Sequence, residues 1–413
     1  MKTFVIKILF LSLFFITENN LLFSQTDVLV ISGVLRDAQS KERVANAAIS
    51  VPGTGIGTVS NSDGEFILKI PGTATAKKFI VSHISFVTKE VSVESTTSAN
   101  KTIFLEPQIL QLSSIRAIPS DALGIVKLAY EKIRQNYSQS PNMMKAFYRE
   151  SIRQRRDYIS ITEALVDIYK TSYSNNNTDH VSINKGRKGV NVRKVDTLNV
   201  LLQGGPAVLL LIDVPKNPTI GLELVNWDNY KFKYADLATI DDQLNYVIEF
   251  EPTIRNGEPL YFGKLFIQQD NLAITRAEFN LDLRDEEKAS DMFIRKKPAG
   301  LLFVPLATNY LVTFKHQNDK YYLNYVRIDL KFKSDWKRKL FKNNYTIISE
   351  MAITDRFEDH LEKIPTAERF KTNMVMSREV AAFYDPDFWG DQNIIEPEES
   401  IENAIKRIAR KMN

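Results

Sequence analysis

Cysteine is absent from the 413-residue chain. That excludes disulfides, thiolate nucleophiles, thiolate-held zinc and lipid attachment at a cysteine. Histidine is scarce, with 4 copies in the whole chain. His83, His180, His316 and His360 stand far apart, and none opens a His-Glu-x-x-His or His-x-x-Glu pattern, the spacing that sets two ligands on one helix face. His316 to Asp319 spells His-x-x-Asp in an expected hairpin turn, and His83 alternates with Phe79 and Val81 as a packed strand histidine would. A charge excess is missing too. Lys and Arg number 54 against 50 Asp and Glu, for a net +4, too even a balance for a protein that holds nucleic acid by neutralising phosphates.

Catalytic and nucleotide motifs are also lacking. There is no Gly-x-Ser-x-Gly elbow. Gly53-Thr54-Gly55-Ile56-Gly57 lacks both the third glycine at dinucleotide spacing and the Lys-Ser/Thr of a phosphate loop, so it reads as a flexible hairpin end. Asn61-Ser62-Asp63-Gly64 resembles part of a calcium loop, but Val59 and Ile70 stand where its first Asp and closing Glu belong. The acidic groups Asp285-Glu286-Glu287 and Glu396, Glu398, Glu399 read as solvated surface, as do the basic runs Arg153-Gln154-Arg155-Arg156 and Lys337-Arg338-Lys339. No cofactor and no metal are expected.

What is there begins with an address. Lys2 and Lys7 precede the apolar run Ile8 to Ile16, and Ser24 offers a small residue at a cut. This is the pattern of a secretory signal peptide over 1–24, and the run is shorter than the roughly 20 residues a membrane helix needs. No later segment approaches that length, so no transmembrane segment is expected in the mature chain.

The remainder predicts a mainly β protein. Residues 25–107 are rich in Val, Ile, Thr, Ser and Gly. Phe66, Leu68 and Ile70 alternate with Glu65, Ile67 and Lys69 after the turn signal Ser62-Asp63-Gly64, and short strands with turn punctuation suggest an antiparallel sandwich. A linker is expected over 108–119 and a helix over 120–138, capped by Ser120 or Asp121, with Ile125, Leu128, Ala129, Lys132 and Ile133 on its inner stripe. Residues 139–382 return to a period of two. Tyr246, Ile248 and Phe250 form one such row, Val326, Ile328, Leu330 and Phe332 another, and Thr275, Ala277, Phe279, Leu281 and Leu283 a third. These predict a large antiparallel sheet, with a few helices, that has one face apolar. Asn256-Gly257, Asp270-Asn271 and Asn318-Asp319 predict hairpin turns, and a helix is expected within Val195 to Ile212, broken at Gly204-Gly205-Pro206. Residues 383–413 form an aromatic connector, with Phe388 and Trp389, and an amphipathic C-terminal helix.

One stretch carries a resemblance. Gly33-Val34, then Val44-Ala45-Asn46-Ala47-Ala48-Ile49-Ser50-Val51, then Pro52 to Phe66 with its Asp63-Gly64 turn, resembles the carboxypeptidase-like regulatory domain, a transthyretin-like β-sandwich found in envelope proteins. Val81-Ser82-His83-Ile84-Ser85-Phe86 resembles that family's next strand, with Ser85 where the family usually has Gly. The domain accompanies carboxypeptidases without being the catalytic unit, and no zinc ligands carry over. More weakly, Phe262 to Ile267 followed by Ala273 to Glu278 resembles a strand pair of the periplasmic lipoprotein-carrier half-barrel, which implies a sheet that holds acyl chains.

The leading expectation is a non-enzymatic exported envelope protein, at the periplasm or the outer-membrane periphery, acting as an interaction or structural module. Its expected partner is another envelope protein, with lipid or glycan also open, and Trp389 is a candidate interface anchor. The alternative is a carrier of an apolar ligand along Thr275, Ala277, Phe279, Leu281 and Leu283. A third reading is a hydrolase whose carboxylates meet only in the fold.

Overall fold

A computed structural model of the chain describes residues 28–94 apart from 73 and 75, then 101–108, 121–190 apart from 156, 204–217, 227–253, 259–293, 301–336, 343–382 apart from 360, 389–397 and 401. The signal peptide (1–24), nearly all of the linker (109–119) and the closing helix beyond Pro397, save Ile401, fall outside the described residues. So do His360, Lys337-Arg338-Lys339 and Asn256-Gly257.

The N-terminal part is a sandwich. Strands β1 (Val28–Asp37), β4 (Glu65–Pro71) and β7 (Lys101–Leu105) form one sheet in the order β4-β1-β7. Strands β2 (Ala48–Ser50), β3 (Gly57–Val59), β5 (Lys78–His83) and β6 (Phe86–Ser92) form the other, in the order β3-β2-β5-β6. The alternation expected of Phe66, Leu68 and Ile70 buries all three against Ile31, Leu35, Phe79 and Val81. At the turn, Gly64 takes φ +69°, a value that costs other residues strain. The bonding residue is Asn61, whose Oδ1 accepts from the Asp63 and Glu65 amides at 2.9 and 2.8 Å. The sequence pointed to Asp63 for that role.

Helix α1 (Ala122–Glu131) follows, capped by Asp121 Oδ1 accepting from Gly124 N at 2.8 Å, and the short α2 (Ile133–Asn136) continues it. Its inner stripe is Ala122, Val126, Ala129 and Ile133. Leu128, expected inside, is 43% exposed. Ala129 and Ile133 of the expected stripe are buried, and Ala122 and Val126 take the inner positions in place of Ile125 and Leu128.

The larger unit is one sheet of eleven strands among the described residues. In chain order these are β8 (Asn142–Gln154), β9 (Asp157–Lys170), β10 (His180–Val190), β11 (Tyr230–Ile240), β12 (Gln243–Pro252), β13 (Tyr261–Gln268), β14 (Ile274–Leu281), β15 (Leu301–Gln317), β16 (Lys320–Trp336), β17 (Asn343–Phe357) and β18 (Ala381–Ala382). Their order in space is β11-β12-β13-β14-β15-β16-β17-β8-β9-β10-β18, antiparallel throughout except for the two-residue β18 at its edge. Asn318 and Asp319 turn at φ +48° and +60° as expected, and Asp241 and Asp242 make a second such tip at +49° and +60°. Both tips are of the kind that matches strand twist.

The two faces of this sheet have different covers. One carries Met144, Tyr148, Val166, Ile248, Ala277, Phe279, Val312 and Met351, packed beneath α1, α2 and α3 (Gly205–Leu211). The other carries Phe147, Leu165, Leu311, Tyr325 and Ala352, packed beneath Val59 of the sandwich and Ile394 and Ile395 of the C-terminal connector. The described residues contain no helix long and apolar enough to cross a membrane.

Candidate functional site

The stripe proposed as a ligand track is occupied by the protein itself. Ala277, Phe279 and Leu281 lie in the main core. Phe279 stacks on Tyr310 at 5.0 Å and meets Tyr261 edge-on at 5.5 Å. Thr275 leaves the row, because the register with β13 slips after Phe266 and Ile274 takes the inward position. Its hydroxyl donates to Asn245 Oδ1 at 2.6 Å instead. Leu283 lies past the strand end and, with Leu281, borders an open recess of about 890 Å³ at that end of the sheet.

Trp389 is not exposed. It is 6% accessible, edge-on to Phe147 at 5.5 Å and beneath the Arg187 guanidinium at 4.9 Å. The interface that it anchors is internal. From Trp389 to Pro397 the connector crosses both units as a strap. Thr58 Oγ1 donates to Ile394 O at 2.8 Å. Asn393 accepts from Lys69 N at 2.7 Å and donates to Lys69 O at 2.8 Å, which satisfies the edge strand β4 as a neighbouring strand would. Lys69 Nζ donates to Gly390 O.

Beneath the strap lies a buried ion network. Arg149 is bonded to Glu163 through Nε and Nη2, both at 2.9 Å, and reaches Glu350 at 3.6 Å. Its Nη2 also donates to Ile395 O at 2.6 Å. Arg187 holds the other oxygen of Glu163 at 2.9 Å, and Arg327 pairs with Glu350 and Asp329. Strand alternation places these charges on the Phe147 face, where strap and sandwich exclude water. A second buried set, Lys170 with Asp213 at 2.6 Å and with Asp179, and Tyr173 donating to Asp213 at 2.8 Å, seats the turn after α3. Neither set has an obvious sequence signal: the members of the first lie up to 246 positions apart and those of the second up to 43.

Between sandwich and sheet is a cleft of about 470 Å³ with a mixed lining, more apolar than polar. Its sandwich wall is β2 and β5, with His83 and Ile84. Its other wall is β15 and β16, with Lys315, Asn324 and Tyr325, and its rim is three hairpin tips carrying Asp241-Asp242, Asn271 and His316. Two contacts hold it open. Ile84 packs on Ala238, Val247 and Phe266 at one side. At the other, Gly55 lies against β17, where a Cβ would come within 2.3 Å of Arg356 N. The loop read as a flexible end is therefore a docking point, and Gly55 is what lets it approach. Lys315 Nζ is 3.5 Å from Thr54 O. Burial pulls its ammonium down to about 8, with Asp241 opposing and Arg356 assisting. Burial, with help from Arg276, holds the His83 imidazole down at about 4, and its Nδ1 accepts from Ser85 N at 3.1 Å. Arg276 is committed to Glu278 at 2.5 Å.

The histidines stay apart. His316 meets Tyr321 at 4.9 Å and His180 stacks on Tyr169 at 6.2 Å. Among the described residues no three His, Asp or Glu gather so as to hold a metal. One carboxyl is unusual: buried Glu150, bonded by Tyr148 Oη at 3.2 Å, is pushed up to about 7 by burial.

Residues 31–116 match the CarboxypepD_reg-like domain family, in agreement with the sandwich. No curated protein matches the chain. Three solved structures are similar over the larger sheet. A putative outer membrane lipoprotein-sorting protein domain from Vibrio parahaemolyticus is 12% identical over 59% of this chain and 96% of that one, with a TM-score of 0.25. A DUF1329 family protein from Desulfovibrio piger is 11% identical over 59% and 95%, with a TM-score of 0.25. A LolA superfamily protein from Nitrosomonas europaea is 14% identical over 60% and 96%, with a TM-score of 0.22. Superpositions this loose carry no residue roles across.

Proposed function

We propose that the chain is an exported envelope protein, released from its signal peptide after Ser24, that works by binding and not by turnover. The observation behind this reading is the composite surface that the strap creates. Thr58, Lys69 and Arg149, from both units, all bond to residues 390–396. The sandwich is thereby clasped to the sheet with a cleft left between them. A fused regulatory-type sandwich and a sheet face sealed by charge pairs make a binding platform, whose partner is another envelope component. The test is a panel of fluorogenic peptide, ester and glycoside substrates applied to the purified mature chain. Flat progress curves are expected, and hydrolysis that disappears in Glu150→Gln or Lys315→Ala would overturn the reading.

A carrier role has one observation in its favour. The recess of about 890 Å³ is bordered by Leu281 and Leu283 together with the exposed Phe262 and Leu306. Displacement of a fluorescent fatty acid by the mature chain, lost in Leu283→Arg, is the result that this second reading requires.

A further inference from the structure

Resting on the binding reading above, we infer that the cleft between sandwich and sheet is a binding site for a neutral saccharide, held by the amide and carboxylate groups of the hairpin tips and by the ring of His316. Three features of the cleft select that chemistry. The first is charge. Arg276 is committed to Glu278, His83 is neutral near pH 7, and Lys315 faces Asp241. No free, strongly hydrated cation therefore faces the opening among the described residues. The Asp242 carboxylate stands exposed at its rim, while burial pushes the Asp241 carboxyl up, against a bond from Ser82 and the charge of Lys315. A phosphate or an acidic polymer would meet repulsion there, and ion pairs with anions depend on the uncommitted Lys and Arg that the cleft lacks.

The second feature is the mix of donors and acceptors. Asn271 accepts from Ala273 N at 2.8 Å, Gln243 Oε1 from Gln268 Nε2 at 3.4 Å, and Asn324 Nδ2 donates to Thr313 at 3.3 Å; each amide keeps further donor and acceptor capacity toward the cleft, and Asp242 adds acceptors. Hydroxyl groups also donate and accept at one atom, so a ring bearing adjacent hydroxyls can satisfy such a set, directly or through bridging water. The exposed His316 ring, braced against Tyr321 at 4.9 Å, and Ile84 supply apolar surface for the C–H face of a sugar. The volume of about 470 Å³ falls within the usual range of small-ligand sites, about 300–1,000 Å³.

The third feature excludes a peptide held by strand addition, which needs an open sheet edge. The sandwich wall is made by β2 and β5, and the order β3-β2-β5-β6 leaves both with neighbours on either side.

The test is calorimetric titration of the mature chain with maltoheptaose, mannotetraose and chitotetraose, set beside inorganic phosphate, a galacturonate oligomer and tetra-alanine. At least one neutral oligosaccharide is expected to bind, with an affinity unchanged by added salt because no ion pair forms. His316→Ala and Asp241→Asn are each expected to weaken it ten-fold or more at an unaltered melting temperature. His316 is exposed at a strand end, so its variant reports on the site even if the Asp241 variant loosens the docking. Absence of binding by all three neutral sugars, binding only of the anions or the peptide, or full affinity in both variants would each overturn the saccharide site and leave the non-enzymatic reading standing. Cleavage of a bound sugar, seen by mass spectrometry, would overturn the non-enzymatic reading and leave the site.

Discussion

Arg149→Ala removes the centre of the buried ion network beneath the strap. Arg149 is 2% exposed and serves two carboxylates and the backbone carbonyls of Ile395 and Glu396. Its removal does not strand either acid completely. Glu163 keeps Arg187 at 2.9 Å, and Glu350 keeps Arg327 at 3.5 Å and the Tyr325 hydroxyl at 2.7 Å. Breaking a buried pair costs about 3–5 kcal/mol when the surviving charge is left unpaired. The remaining partners place this loss toward the lower end, about 3 kcal/mol, and the abandoned Ile395 carbonyl adds about 1 kcal/mol more. At roughly 2–4 °C per kcal/mol for a unit of this size, the sheet should melt about 8–16 °C earlier.

The assay is differential scanning calorimetry of the mature chain, with Arg149→Lys alongside. Lysine keeps the charge but not the planar fork that reaches Glu163 and Ile395 together, so it should restore only part of the loss. The wild-type melting point should be insensitive to salt, since these charges lie out of solvent. A shift of less than about 2 °C for Arg149→Ala, or a large salt effect on the wild type, would show that the network is neither buried nor coupled to the strap in the way these distances require.

Four other outcomes follow from the same geometry. Glu150 has a folded pKa of about 7 against an ordinary 4.5; the folded state therefore holds its proton more tightly, and stability falls as pH rises from about 4.5 to 7, by roughly 3 kcal/mol in full. Melting curves at pH 5 and pH 8 should differ in the wild type and converge in Glu150→Gln. Lys315, drawn down to about 8, holds free amine near neutral pH, so limiting acetic anhydride should modify it before the exposed lysines, with peptide mapping as the readout and equal labelling as the refuting result. Gly55→Val should push the sandwich off β17, seen as an expanded radius of gyration in solution scattering, because a Cβ there meets Arg356 N at 2.3 Å. Thr58→Val with Asn393→Ala removes three strap bonds, worth about 0.5–1.5 kcal/mol each; hydrogen exchange should quicken in β3 and β4 and stay unchanged in β8 and β9.

The sequence made the β architecture legible wherever one face of a strand is wet. The row Val326-Ile328-Leu330-Phe332 could be read because its partners in alternation are polar, and Phe66-Leu68-Ile70 because Glu65 and Lys69 flank it and a turn signal precedes it. It failed where a single residue alters the period: the bulge at Thr275 has no local signal, because Thr is at home on either face. It failed again where position in space decides a role. Gly55 was visible as an unusual residue, but a flexible hairpin end is the reading that its isolated segment suggests; Trp389 could be read either as an exposed anchor or as a connector aromatic packed on the sheet, and it is the packed one. Each is in fact an internal contact, made across a separation that no window of sequence spans. Arg149, Glu163, Arg187 and Glu350 read as ordinary strand charges on a wet face, and only the docking of the sandwich and the strap makes that face dry.

That last point explains why the sheet carries charge where a core would be apolar. A strand face that must be covered by a separate unit can use apolar contact alone, as Val59 does against Phe147, Leu165 and Tyr325, but apolar packing tolerates sliding. The Arg149 fork accepts only one placement of the Ile395 carbonyl, and Asn393 only one register along Lys69. Charged and amide groups therefore fix where the strap lies, and the strap fixes the distance between β2 and β15 that opens the cleft. Directional bonds of this kind add little net stability over a well-packed apolar substitute. Their contribution is to position, and a binding cleft built between two separately folded units depends on position more than on any further gain in stability.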